Sequence, residues 1–280
     1  MAYAFRIVNV FTVPGERLSG NPLCVFEDAR GLDDHQMQAL ARQLNLAETT
    51  FVLPPRAGGD ARVRIFTPGF EMPFAGHPTL GTAAVIAAGR TALTLELNAG
   101  LVPVTRDGDT WTLTAARPPT TRPVEATRDE LARMLGLPAD AVLDPPLWVD
   151  TGVEQLVIPL ASPAHVQAAV IDPALLTRWG TSPTRKKAAA YLWARGEPAW
   201  TARYLYTQAG GLVEDPATGS ACANLGGWMI ATGQSLPMQA WLRQGDAVGR
   251  PSRLGLRVDA DGAIQVSGEV IDLGGGTLAP

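Results

Sequence analysis

The 280-residue sequence has only two cysteines, Cys24 and Cys222, and three histidines, His35, His77 and His165. The cysteines form no Cys-x-x-Cys pair, so neither a redox dithiol nor a structural zinc is indicated, and unpaired thiols fit a reducing compartment. No His-Glu-x-x-His or comparable ligand spacing occurs, which argues against a catalytic metal. Long apolar runs are missing as well: Ala83–Ala88 is the most continuous stretch, far short of the roughly 20 residues that span a bilayer. The opening MAYAFRIVNVFTV carries Arg6 inside its apolar run and has no small-residue cleavage site. It therefore reads as a first strand rather than a secretion signal, and the expected location is cytoplasmic. Positive charge is not in excess, with 23 Lys+Arg against 27 Asp+Glu and a net charge of −4. Without a basic stripe to neutralise phosphates, nucleic-acid binding is disfavoured. The one cationic cluster, Arg185-Lys186-Lys187, reads as an exposed loop or helix start.

What is present is the make-up of a globular chain, 46% hydrophobic and 18% charged. A chain of this mass should hide about 73% of its unfolded surface, enough for a core without covalent or metal staples. Short β-rich runs bounded by Gly and Pro recur, among them FRIVNVFTV, LCVFED, TTFVL, RVRIFT, EQLVIPL and AIQVSGEV. Two amphipathic helices stand out. From Asp33 to Leu44, Met37, Leu40, Ala41 and Leu44 share one face behind an Asp33 or Asp34 cap. From Thr127, a capping-box start leads through Leu131, Met134 and Leu135 to Gly136. The fold class is α+β.

An approximate internal repeat organises the chain. Residues 64–89 and 203–233 both read strand, acidic loop, glycine, helix, glycine; Gly76 and Gly219 are offset by 143 and Gly89 and Gly233 by 144. Both helices are small-residue-rich and apolar nearly all round, as expected of a helix wrapped by other elements. Two pseudo-equivalent halves follow, joined in the proline-rich Arg117–Pro123 stretch. Residues 1–118 would carry Glu48 and the Gly76-His77 loop, and residues 119–280 the Asp215–Ser220 loop, with the terminal strand free to return to the first half.

Each repeat places backbone N–H groups at a helix start behind a glycine, a geometry that attracts carboxylate or phosphate. The expected partner is therefore a small anionic metabolite. Gly76 and Gly81 have phosphate-loop spacing, but Thr82 stands where the essential lysine would be, so ATP is disfavoured. Glu71 precedes His77, and Glu214 and Asp215 precede Ser220, which suggests acids and a base converging. Trp179, Trp193 and Trp200 could line an interface or fill core, core being the expectation.

The runs Asn45–Val52, Glu71–Gly81 and Glu214–Ala221, with Ser19-Gly20-Asn21-Pro22 and Gln244–Ser252, resemble the phenazine-biosynthesis PhzF family of the diaminopimelate-epimerase fold superfamily. The resemblance implies two pseudo-symmetric halves, each a curved, mostly antiparallel sheet wrapped around a central helix, with a cleft between them and a homodimer as the working form. It also implies a cofactor-independent isomerase that moves a proton in a cyclic acid, without metal. Glu48 then takes the place of the acid/base, and His77 and Asp215 are catalytic partners. Gly76, Gly219, Ser220 and Asn21 contact substrate.

Cysteine pairs of the superfamily's racemases are replaced here by Ala75 and by Ala217 or Thr218, which disfavours the alternative of a cysteine-dependent racemase or epimerase. Cys24 and Cys222 read as buried packing. A noncatalytic metabolite-binding protein is a further alternative, opposed by the retention of Glu48, His77 and Asp215 together. A serine hydrolase on Ser220 lacks the Gly-x-Ser-x-Gly elbow.

Overall fold

Helix signals in the sequence are obeyed closely in the computed structural model, which describes residues 2–115, 117–208 and 210–280. Contacts group the chain into two units, Met1–Thr114 with Ser267–Pro280, and Ala115–Val266.

The first unit is built from β1 (Tyr3–Thr12), β2 (Asn21–Phe26), α1 (Asp34–Leu44), β3 (Glu48–Leu53), β4 (Ala61–Phe66), β5 (Glu71–Met72), α2 (Gly76–Ile86), β6 (Ala92–Leu97), β7 (Gly100–Asp107) and β8 (Thr110–Thr114). Strand β1 pairs antiparallel with β2; β2 and β3 run parallel, β3 and β4 antiparallel, β4 and β6 parallel, and β6, β7 and β8 antiparallel in turn. Asp33 caps α1 in a full capping box with Gln36, and Asn45 closes it in the left-handed conformation. Its Met37–Leu40–Ala41 face covers Cys24, Phe26, Phe51 and Phe66, where Phe26 and Phe51 stack at 4.9 Å. The other face of these strands packs on α2, which is buried from Gly76 through Ala83. Gly81 permits that approach: a Cβ there would lie 2.6 Å from Leu23 and 2.9 Å from Val10. Thr82 bonds Thr50 at 2.8 Å, satisfying both buried hydroxyls.

The second unit comprises β9 (Thr120–Pro123), α3 (Arg128–Leu135), β10 (Leu147–Asp150), β11 (Gln155–Pro159), α4 (Pro163–Ala168), α5 (Pro173–Trp179), β12 (Ala189–Ala194), β13 (Trp200–Gln208), β14 (Gly211–Asp215), α6 (Gly219–Ala231), β15 (Met238–Gln244) and β16 (Ser252–Val258). The final strand, β17 (Ile264–Leu278), begins in this unit and continues in the first, where it pairs antiparallel with β1. The pairing order of the first unit recurs: β10 antiparallel to β11, β11 parallel to β12, β12 antiparallel to β13, β13 parallel to β15, and β15 antiparallel to β16. Helix α6 packs on β9, β10, β11 and β16, with Gly226 and Gly227 where a Cβ would meet Ile264 and Pro119 at 2.8 and 2.7 Å. Outside, α3, α4 and α5 cover a second core containing Leu131, Met134, Leu156, Ile158 and Leu192.

Several readings change on contact with the structure. The proline-rich stretch around residue 120 is not a bare connector, since Thr120–Pro123 is strand β9 on β10. Trp193, in contrast, is core as expected, stacked on Trp200 at 5.3 Å and edge-on to Trp228 at 5.1 Å. Arg185, expected in an exposed loop, is half-buried, and Lys187 lies 4.0 Å from the Tyr206 ring. No helix among the described residues is long and apolar enough to cross a membrane.

Candidate active site

In the first unit, the Ser19–Pro22 segment sets the stage. Gly20 has φ +78°, and a Cβ there would fall 2.5 Å from the Val10 carbonyl, so only glycine makes this turn. The turn delivers Asn21, fully buried, and the Pro22 carbonyl. That carbonyl accepts the His77 ring N–H. Nε2 has no hydrogen bond of its own, so the bonded nitrogen is Nδ1 and the neutral tautomer carries its lone pair on Nε2. Burial lowers the His77 pKa to about 3, against the smaller opposing effect of Pro22, so the imidazole is uncharged at neutral pH.

Glu48 opens β3 opposite Leu23 of the parallel strand β2. Its side chain is 16% exposed and its Oε2 lies 3.4 Å from His77 Nε2. With His77 neutral this contact is not an ion pair. A lone pair faces a carboxyl oxygen, an arrangement that is attractive only when a proton lies between them. The structure thus brings Glu48, His77 and the Asn21-Pro22 turn together and leaves His77 Nε2 open to accept a hydrogen bond. Stabilising an anion through the ring N–H is not open to it, since Pro22 takes that hydrogen.

In the second unit, Asp215 ends β14, and its Oδ2 accepts the Thr218 hydroxyl at 2.5 Å. Gln244 clamps the same loop, donating to the Asp215 carbonyl at 2.8 Å and to Thr218 Oγ1 at 3.0 Å. Gly245, at φ +84°, sits so close that a Cβ would lie 2.6 Å from the Pro216 carbonyl. Ser220 Oγ accepts from Gln155 Nε2 at 3.0 Å.

The helix starts at Gly76 and Gly219 share a feature. Side chains of Asp33, Thr127, Ser162 and Asp172 cap α1, α3, α4 and α5, whereas Ala75 and Thr218 at the heads of α2 and α6 supply no side-chain cap. The first N–H groups, those of Gly76 and His77 and of Gly219 and Ser220, lie outside each helix's own ladder and suit an anionic oxygen.

Glu71 and Glu214 are not site acids. Arg64 forks onto Glu71 at 2.8 and 2.6 Å, and Arg203 donates to Glu214 at 3.1 and 2.8 Å. Arg64 also reaches Asp34 at the head of α1, and Arg203 the Ala169 carbonyl at the end of α4. Each repeat therefore braces its acidic loop against an outer helix. Arg64, chiefly by hydrogen bonding, holds Glu71 below the usual carboxylate range.

The cysteines are poor bases. Burial pushes the Cys24 thiol up to about 12 and raises Cys222 further, and both side chains are inaccessible. Sequence reasoning missed Gln155 and Gln244, whose partners lie 65 and 26 to 29 residues away; Gln244, inside a quoted motif, carried a signal.

The family model described as "Phenazine biosynthesis-like protein", PhzC-PhzF, matches residues 8–274. An uncharacterized isomerase of Pasteurella multocida is 38% identical, covering 99% of this chain and 94% of that protein. The trans-2,3-dihydro-3-hydroxyanthranilate isomerase of Pseudomonas aeruginosa is 36% identical, over 94% of this chain and 95% of its own. The crystal structure of a PhzF-family phenazine biosynthesis protein from Bacillus anthracis superposes with TM-score 0.87 at 22% identity, covering 100% of both chains, and so shares the fold.

Proposed function

The chain belongs to the PhzC-PhzF family and is an isomerase, and on that premise we propose that it moves a proton between carbons of a small carboxylate-bearing metabolite, with Glu48 as the single acid/base. The observation that carries this reading is the 3.4 Å approach of Glu48 Oε2 to the lone pair of a neutral, buried His77. Ionised Glu48 takes a proton from one carbon, and the electron pair left behind shifts into the adjoining unsaturated system. The resulting acid is held by donation to His77 Nε2, then releases its proton to a second carbon. One C–H bond breaks, one forms and a double bond migrates, so atoms and electrons balance within the metabolite and no cofactor enters the proposal. Uncapped amides of Gly76 and His77 are suited to the transient negative charge.

Asp215 is proposed as a further catalytic partner, and Asn21, Gly76, Gly219 and Ser220 are proposed to bind the metabolite. The duplicated pairing order supports reading the two units as pseudo-symmetric copies. Action as a cytoplasmic homodimer is part of the same proposal, and sedimentation at working concentration tests the dimer. The substrate of the Pseudomonas aeruginosa relative, trans-2,3-dihydro-3-hydroxyanthranilate, is the first compound to assay. Glu48→Gln keeps the shape and removes the base. We expect kcat to fall at least about 10³-fold, within the range a positioned acid/base supplies, with an unchanged melting temperature. Wild-type turnover by the folded variant would remove Glu48 from the mechanism.

A further inference from the structure

Behind Ser220 runs a chain of hydrogen bonds whose polarity is fixed from the backbone. The Thr151 N–H and hydroxyl donate to Asn224 Oδ1 at 2.9 and 2.8 Å, which fixes the Asn224 amide. Asn224 Nδ2 donates to the Val153 carbonyl and to Gln155 Oε1, both at 2.8 Å. Gln155 therefore presents its NH2 group forward. One hydrogen goes to Ser220 Oγ at 3.0 Å, and the other serves the Tyr204 hydroxyl, which also accepts from Arg185. Both uses of the Gln155 amide nitrogen are then filled.

The consequence lies in the hydroxyl protons. Ser220 Oγ and the Tyr204 oxygen each receive a donor, so each directs its own O–H elsewhere. Tyr204 as a residue is 5% exposed and its hydroxyl receives two donors, which leaves the phenol proton to be donated. Burial raises the Tyr204 pKa, keeping it a donor at working pH. We infer that Tyr204 is a further substrate-binding residue: with Ser220 it forms a two-hydroxyl clamp, oriented by Gln155 and Asn224, that takes an oxygen of the metabolite's carboxylate. Arg185 adds positive charge behind the phenol and has no carboxylate side chain bonded to it among the described residues. Asp215, opposite Tyr204 on β14, acts on the phenol with the opposite sign, but the effect of Arg185 is the larger, so two neutral O–H donors backed by the arginine favour a carboxylate over an uncharged group. Gln155 and Asn224 are positioning residues.

The inference rests on the reading of the chain as an isomerase of a carboxylate-bearing metabolite, but its test reads binding rather than turnover. Calorimetry with 3-hydroxyanthranilate, a stable aromatic acid, and 2-aminophenol, which lacks the carboxylate, is run on wild type, Tyr204→Phe and Gln155→Glu. Wild type is expected to prefer the acid. Tyr204→Phe should weaken acid binding about tenfold, one charge-assisted hydrogen bond, and leave the neutral compound unchanged. Gln155→Glu replaces the donor by an acceptor that captures both hydroxyl protons, so it should weaken the acid at least as much. Turnover by Glu48→Gln is measured separately and reads only the catalytic proposal. A structural role alone would lower melting temperature without altering acid-over-neutral discrimination. Undiminished discrimination in folded Tyr204→Phe, or no saturable acid binding by wild type at millimolar concentration, overturns the clamp. An active Glu48→Gln alongside a weakened Tyr204→Phe overturns the catalytic reading alone.

Discussion

The brace between Arg203 and Glu214 gives a prediction whose size follows from burial. The two side chains are 14% and 7% exposed, and Arg203 also donates to the Ala169 and Val166 carbonyls at 2.8 and 3.2 Å. Arg203→Met leaves a buried carboxylate without its cation, and breaking such a pair costs about 4 kcal/mol. For a chain of this length that lowers the melting temperature by about 10 °C. Arg203→Met/Glu214→Gln removes the stranded charge and should recover about half of the loss, the remainder reflecting the orphaned carbonyls. The equivalent pair in the first unit, Arg64–Glu71, is 12% and 25% exposed, and Glu71 keeps a bond from Asn98 at 2.9 Å. Water reaches it more readily, so Arg64→Met should cost about 2 kcal/mol. Denaturant unfolding of these three variants and of Glu214→Gln alone measures all of this. Single replacements at 203 and 214 that each cost under about 1 kcal/mol, or that add without coupling in the double variant, would refute the brace.

Other consequences can be checked together. His77 is lowered from 6.5 to about 3, so the unfolded chain binds the extra proton first as pH falls. Its contribution is complete above about pH 6.5 and is lost toward pH 3 at up to about 1.4 kcal/mol per unit; His77→Gln should flatten that part of the unfolding profile. Gly245→Ala forces a Cβ to within 2.2 Å of the Arg250 carbonyl at φ +84°, displacing the loop that Gln244 clamps. We expect a fall in kcat/KM larger than the loss in stability explains, seen by comparing kinetics with melting. Iodoacetamide should leave the folded protein active and label Cys24 and Cys222 only in denaturant, because both thiols are buried and their ionisation is suppressed; rapid inactivation of native enzyme would revive a thiol mechanism.

Much of this architecture was legible where local chemistry decides it. The capping box at Thr127 formed as read, Asp33 proved to be the cap of the two candidates for the first helix, and the all-round apolar character of the repeat helices matched their burial. Illegible parts depend on distant partners or lack a period. Strand β12 is buried at every residue, so Ala189–Ala194 shows no alternation. Helices α4 and α5 are too short to show a stripe, although Ser162 and Asp172 each stand before a proline at a helix start. Glu71 and Glu214 looked like site acids because nothing local revealed Arg64 and Arg203 across their hairpins. Gln155 gained meaning only when folding placed it beside Ser220, 65 residues away in sequence.

The most direct test follows the proton itself. A substrate carrying deuterium on the carbon that loses its hydrogen is taken through a single turnover and the product is read by mass spectrometry. Passage through one carboxylate whose inner oxygen is buried predicts that part of the label reappears on the receiving carbon of the same molecule. Product wholly devoid of label, made equally fast by Glu48→Gln, contradicts it.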